Sequence, residues 1–400
     1  MEALTISDRI KGMAVSATLA MSQKSSELRA QGVDVINLSV GEPDFNTPEH
    51  IKEAAKRAID ENFTHYPPVP GYMDLRKAIA RKLKVENGVD FAPEQIVVSA
   101  GAKHSLSNVI YALINPGDEV VIPTPAWVSY VEMVKLAGGV NVLVPAGFEQ
   151  DFKVTPEQLE AAITERTRMV LLCSPSNPSG SVYTRAELQD LVEVLRRHPQ
   201  VAILSDEIYE HINYGPEFVS LASFPEIADR VVVVNGVSKA YAMTGWRIGF
   251  MAGPLAVAKA VSKLQGQTTS GISTIAQKAA VAAYDGPQQC VAEMLEAFRR
   301  RRDLVVSLAR RIPGLKVNEP QGAFYLFPEV SAYLGKNAPD GRTIVTDNDL
   351  AMYLLEEAHV ATVSGSAFCL PGYIRLSYAA ADDQLREAFA RIERALAQLA

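Results

Sequence analysis

The sequence predicts an α/β fold: a large domain with a mostly parallel sheet flanked by helices, and a smaller α+β domain beside it. Three observations carry this expectation. Short β-branched runs alternate with segments of helical spacing from about residue 49 to about residue 290. Those runs are apolar throughout, as in Val231-Val232-Val233-Val234, which suits strands covered on both faces. The chain's 400 residues exceed what one core organises, and its last hundred change rhythm.

The strands are expected at Gln95–Ser99, Glu119–Ile122, Val140–Val144, Met169–Leu172, Val201–Leu204 and Val231–Val234. Between them, Thr47-Pro48 reads as the N-cap and first residue of a helix to about Ile59. Thr155 with Gln158, and Thr184 with Glu187, fit the capping box. After the arginine run Arg299 to Arg302, read as a solvated helix face, come Gly322 to Leu326 and a polar loop near 335–348. A helix at 349–358, a strand around 374–378 and a closing helix from about 383 complete the chain. The segment before residue 48 is too short to fold alone and is expected to pack on the C-terminal part. The division is therefore 1–48 (arm and part of the small domain), 49–295 (large domain) and 296–400 (small domain).

Composition excludes several classes. Lys plus Arg number 39 against 46 Asp plus Glu, a net charge of -7 that argues against a nucleic-acid partner. No run of about eighteen residues is apolar enough to span a membrane. The N-terminal stretch is broken by Asp8, Arg9 and Lys11, unlike a signal peptide. Three scattered cysteines (Cys173, Cys290, Cys369) suit a reducing, cytoplasmic setting. Dinucleotide, P-loop, zinc-protease and nucleophile-elbow motifs are missing, and no metal site is expected.

Ligands of such sheets bind at the carboxyl ends of the strands. There the chain places Ser99-Ala100-Gly101-Ala102-Lys103-His104, a turn opening a helix and suited to phosphate. Cys173 to Gly180, containing Asn177, comes after another strand. Asp206 and Tyr209 come after the next, and Gly236, Ser238 and Lys239 after the one beyond, with Arg247 a little further on. Singly, each has an ordinary explanation: a surface lysine, a helix cap, a turn asparagine. Together they are the inventory that pyridoxal phosphate requires, with a lysine for the covalent link and a charge partner for the ring nitrogen.

The motifs Val40-Gly41-Glu42-Pro43-Asp44-Phe45, Tyr66 with Gly71, Leu75 and Arg76, Ser174 to Gly180, Ser205 to Tyr209, Ser238-Lys239, Gly245 to Gly249 and Arg375-Leu376-Ser377 occur in order over nearly the whole chain. In them the sequence resembles the class I aminotransferases of the aspartate aminotransferase superfamily, fold type I, bacterial Ib subgroup. That resemblance implies a seven-stranded sheet, pyridoxal 5′-phosphate and a homodimer with shared active sites. It implies amino transfer from L-aspartate or a related dicarboxylic amino acid to a 2-oxo acid such as 2-oxoglutarate, by a ping-pong mechanism. It assigns Lys239 to the Schiff base and the proton transfer, Asp206 to the ring nitrogen, and Tyr209 and Asn177 to the phenolic oxygen. Arg247, Gly101, Ala102, Gly236 and Ser238 fall to the phosphate. Gly236 departs from the serine many relatives carry. Tyr66 falls to the partner subunit's phosphate, Trp127 to the cofactor ring, and Arg375 with Gly41 to the substrate's α-carboxylate. Lys103 and Thr18 fall to the distal carboxylate. Ala14 stands where relatives acting on prephenate or glutamate carry lysine, which weighs against prephenate. Aromatic, alanine and prephenate aminotransferases and a lyase of the same fold remain alternatives, as does a non-enzymatic binding module.

Overall fold

The computed structural model describes residues 4–400. Twelve strands run in chain order: β1 Ile36–Asn37, β2 Ile96–Ser99, β3 Glu119–Thr124, β4 Val140–Pro145, β5 Thr167–Cys173, β6 Ala202–Asp206, β7 Val231–Gly236, β8 Gly249–Ala252, β9 Tyr325–Leu326, β10 Val360–Ala361, β11 Val363–Ser364 and β12 Ile374–Ser377. Seven of them form one sheet in the order β2-β8-β7-β6-β5-β3-β4. All its pairings are parallel except those of β8, which runs against β2 and β7.

Burial on both faces explains the unbroken apolar runs. In β7, Val231 and Val233 enter one hydrophobic cluster, while Val232 and Val234 enter the cluster on the opposite face. Each such side chain contributes roughly 1.5–3 kcal/mol by leaving water. The six expected strands all form, with edges moved by at most two residues. The seventh, β8, has no such signature in the residues. It is four residues long and opens on Gly249, so it shows neither length nor alternation.

The C-terminal part holds a three-stranded antiparallel sheet, β11-β12-β9, over its own cluster containing Phe298, Phe324, Leu350 and Phe389. The N-terminal segment joins it: β1 pairs in parallel with β10, and Met21 and Val35 pack on Ala351 and Leu355. Arg391 reinforces the seam by donating to Asp34.

Two local expectations are corrected. Both capping boxes form at Thr155 and Thr184, but Thr47 does not cap. The helix begins at Glu49, and the Thr47 hydroxyl instead donates to the Ala242 carbonyl and accepts from Trp246 Nε1. A hydroxyl with a long-range partner loses its local capping role. The four arginines are not one solvated face. Arg301 is buried, clamps Asp44 with both Nη atoms at 2.7 and 2.8 Å, and lies over the rings of Phe45 and Phe298. Arg302 lies over Tyr214 and donates to the Pro320 carbonyl. On a helix of 21 residues, successive side chains point about 100° apart, so four in a row cannot share a face.

Candidate active site

Parallel β5, β6 and β7 end side by side, with Cys173 opposite Asp206 and Asp206 opposite Val234. The loops after them therefore open on one space, a cavity of about 380 Å³. Asn177, Asp206, Tyr209, Ser238 and Lys239 line it from this edge, joined by Ala102, Lys103, Trp127 and Arg247. Thr18 and Gly41 of the N-terminal segment and Arg375 of β12 close it from the other side. Twelve of the fifteen residues named from sequence thus share one cavity. Gly101 and Gly236 stand behind it as backbone, and Tyr66 lies on the surface, 97% exposed.

Asp206 is buried at the end of β6, and burial pushes its carboxyl up to about 6. The Tyr130 hydroxyl, donating to Oδ2 at 2.6 Å, the Ile208 N–H and the charge of Lys239 oppose that rise. No ion pair neutralises Asp206 among the described residues. Lys239 shows the converse effect. Its Nζ donates to the Gly41 carbonyl at 2.6 Å, and burial lowers its amine to about 8, with Arg375 and Arg247 acting the same way. A lysine so depressed is partly unprotonated near neutral pH and able to react as a nucleophile.

Arg375 is fully enclosed, and no carboxylate of the described residues reaches it. Its Nη1 donates to Asn177 Oδ1 at 3.0 Å and its Nη2 to the Ser39 carbonyl at 2.5 Å, while Nε has no partner. Tyr325 and Phe368 sandwich the guanidinium at 4.5 and 4.9 Å. A buried arginine held only by neutral acceptors is a receptor for an anion.

The opposite end also suits an anion. Gly101 precedes the helix Ala102–Leu113 with φ +86°, and a Cβ there would strike the Arg247 guanidinium. Arg247, itself left-handed at φ 57°, donates to the Thr244 and Ala100 carbonyls beside that helix start. Helix N–H groups and a guanidinium so placed hold a phosphate. The glycine at 236 has a steric reason: it pairs with Gly249, and a Cβ would press on the Ile248 carbonyl. Ser238 lines the cavity nearby. Lys103 Nζ sits 5.1 Å above the Trp127 ring, its amine lowered by burial and by Arg247.

Sequence reasoning missed Tyr130 and Tyr325. Tyr130 lies three residues after Trp127, and the two rings meet edge to face at 5.4 Å. That spacing was the available signal. Tyr325 meets the Tyr209 hydroxyl at 2.7 Å from a two-residue strand, too short for any pattern.

The profile of the family described as aminotransferase class I and II matches residues 33–392. The aspartate/prephenate aminotransferase of Cereibacter sphaeroides is 51% identical over 390 residues, covering 97% of this chain and 98% of the relative. The crystal structure of the aspartate aminotransferase from Rhizobium meliloti superposes with a TM-score of 0.96 at 47% identity, covering 100% of both chains. That of the Thermus thermophilus aspartate aminotransferase with maleate gives 0.92 at 42%, covering 98% of this chain and 100% of that one.

Proposed function

The chain belongs to the class I and II aminotransferases, and from that premise we propose that it holds pyridoxal 5′-phosphate through Lys239 and draws amino groups from a dicarboxylic amino acid, aspartate first. The observation that carries this reading is the pairing, across one cavity, of a depressed lysine with a buried carboxylate that has no ion-pair partner. The donor set fits the cofactor. Arg247 and the helix start behind Gly101 and Ala102 take the phosphate, with Ser238 and the backbone at Gly236 beside them. Asp206 supplies the charge that a protonated ring nitrogen needs, and Trp127 a flat surface for the ring. Bound there, the cofactor acts as an electron sink for the carbon that loses its proton.

The protein's own part rests on its geometry. Arg375 grips the α-carboxylate through its planar fork, with Gly41 closing the floor, and so orients the substrate's Cα toward Lys239. Lys239 Nζ, its amine lowered by burial, would serve as the base that takes and holds the proton from the substrate's Cα. Tyr209 and Asn177 would hold the cofactor's ring oxygen as hydrogen-bond donors. Asn177 also binds Arg375, tying the carboxylate grip to the ring.

Lys103, on the helix Ala102–Leu113, and Thr18, on the arm, line the same cavity and would receive the distal carboxylate. Maleate, the dicarboxylate named with the Thermus relative, agrees with that assignment. Prephenate is the second reading, favoured by the name of the Cereibacter relative and weakened by Ala14. The test is kcat/KM for aspartate, glutamate, alanine and tyrosine with 2-oxoglutarate, and for prephenate with aspartate. Aspartate should lead alanine by about tenfold or more; a lead for alanine or tyrosine would overturn the dicarboxylate reading.

The working unit we propose is a homodimer. The exposed Tyr66 has no hydrogen bond among the described residues, and a groove lined by Trp246, Arg247, Thr269 and Ile272 opens beside the phosphate arginine. A second copy's Tyr66 reaching that groove would complete the phosphate site. No helix among the described residues is long and apolar enough to cross a membrane, and the three cysteines are free, which supports a cytoplasmic setting.

A further inference from the structure

Tyr209 lies just beyond β6 and Tyr325 stands on β9, so their hydroxyls meet across the join between the large sheet and the C-terminal sheet. Both phenols are buried, and burial holds both above their ordinary range, so each keeps its proton at ordinary pH. Neither hydroxyl has another partner among the described residues. Two protons are therefore available for one hydrogen bond between two oxygens, and the second must point elsewhere. The Arg375 guanidinium opposes the upward push on both phenols, but it lies directly over Tyr325, 4.5 Å from that ring's centre, and so favours Tyr325 as the donor of the two.

We infer that Tyr325 is a positioning residue for amino transfer: its hydroxyl donates to the Tyr209 oxygen and so aims the Tyr209 proton into the cavity as a strengthened donor. A hydroxyl that accepts a hydrogen bond becomes a better donor itself, because the two bonds polarise one another. The inference rests on the cofactor reading above, since the acceptor in the cavity is the cofactor's phenolic oxygen. The other charged or titratable groups facing the pair are few. Lys239 Nζ lies 5.8 Å from the Tyr209 ring, Arg375 flanks Tyr325, and the Cys173 thiol, pushed up to about 12, stays uncharged. Asp206 lies below, bound by Tyr130.

The test is a pH titration of the visible absorption band of the protein loaded with pyridoxal phosphate, without substrate. Parent, Tyr325→Phe, Tyr209→Phe and the double variant are compared. Weaker donation to the phenolic oxygen raises the proton affinity of the cofactor–lysine link. Tyr325→Phe should therefore move the midpoint up by about 0.3–1 pH unit, and Tyr209→Phe further. The double variant should titrate with Tyr209→Phe, because without that hydroxyl Tyr325 has nothing to act through. Phenylalanine keeps the ring over Arg375, so KM for the amino acid should stay within about twofold. An unmoved or lowered midpoint in Tyr325→Phe overturns the inference. So does a shift of equal size in the Tyr209→Phe background, which marks a general disturbance of the fold. If the parent itself gains no visible band, the cofactor reading fails and the inference falls with it, an outcome distinct from the other two.

Discussion

The wall of the cavity built by β5, β6 and β7 and the wall built by β12 and the N-terminal segment meet the same space with different physics. On the first, ionisable groups are held away from their ordinary behaviour: Asp206 up to about 6, Lys239 down to about 8, Cys173 up to about 12. They stand on strand ends locked into a sheet covered on both faces. On the second, Arg375 is equally buried but bound only by neutral oxygens, with its Nε left without a partner. The arm beside it is open, with Val15 82% and Leu19 66% exposed. Around Ala14 the arm is tied to the large domain by the Ala14 N–H, which donates to Glu132 Oε2 at 3.2 Å. The difference separates chemistry from selection. Perturbed charges need a rigid, dry mounting, whereas recognising the far end of a substrate works on a looser edge. It also supports the division we propose, with the arm grouped with residues 296–400 and the chemistry carried by 49–295.

Breaking the rigid wall should have the largest effects. Lys239→Ala should lower single-turnover amino transfer by about 10⁴-fold or more, since both the covalent link and the proton carrier go. A lysine depressed from 10.5 to about 8 costs the apoprotein stability below pH 8, a cost that disappears as pH rises to 10.5. The apo variant should therefore melt no lower than the parent at about pH 7. Retained transfer, or a collapsed fold, would refute the contrast.

Asp206→Asn comes next. A ring nitrogen roughly 3 Å away interacts with that charge by about 5 kcal/mol at an effective dielectric of about 20, before desolvation is subtracted. Removing the charge should slow proton removal from Cα by two or three orders of magnitude. Stability should move the other way. A carboxyl raised from 3.8 to about 6 penalises the folded apoprotein increasingly from pH 3.8 to 6 and fully above, by at most about 3 kcal/mol. Apo Asp206→Asn should thus gain on the parent as pH rises through that window and then hold its gain. An equal difference in melting between the two proteins at about pH 4 and about pH 7 would show that the carboxylate bears no such load.

At the residues that select the substrate, Lys103 on the helix Ala102–Leu113 and the arm of the loose wall, effects should be smaller and confined to selectivity. Lys103 is exposed enough for solvent screening, so Lys103→Ser should cut kcat/KM for aspartate about tenfold and leave alanine nearly unchanged. Equal losses on both donors would move Lys103 to the phosphate or the fold. Ala14→Lys should be smallest. Its ammonium would arise beside Glu132, which competes for it, leaving a gain of about two- to fivefold on glutamate and prephenate. Loss of activity on both would contradict the placement of this arm.

The first wall was legible in the sequence because parallel strands deliver their carboxyl ends to one edge. Asp206, Lys239 and Asn177 are found by inspecting the residues at the end of each apolar run. β8 escaped because four residues opening on a glycine leave no periodic trace. Tyr130 and Tyr325 escaped for a related reason: their roles are set by partners 76 and 116 residues away. Arg301 was misjudged because a charge run gives no sign of the clamp on Asp44 that only the tertiary fold supplies. Arg375 and Thr18 entered through the resemblance alone, since β12 and the arm reach the cavity by packing.

The central claim is that the rigid wall carries the covalent chemistry through one lysine. It is tested most directly by loading the protein with pyridoxal phosphate, reducing with borohydride and mapping the labelled peptides by mass. The account predicts one pyridoxyl group per chain, on Lys239, and none when aspartate is added before the reductant in the absence of a 2-oxo acid. A label on Lys103 or another lysine, or no label on the parent, would contradict it.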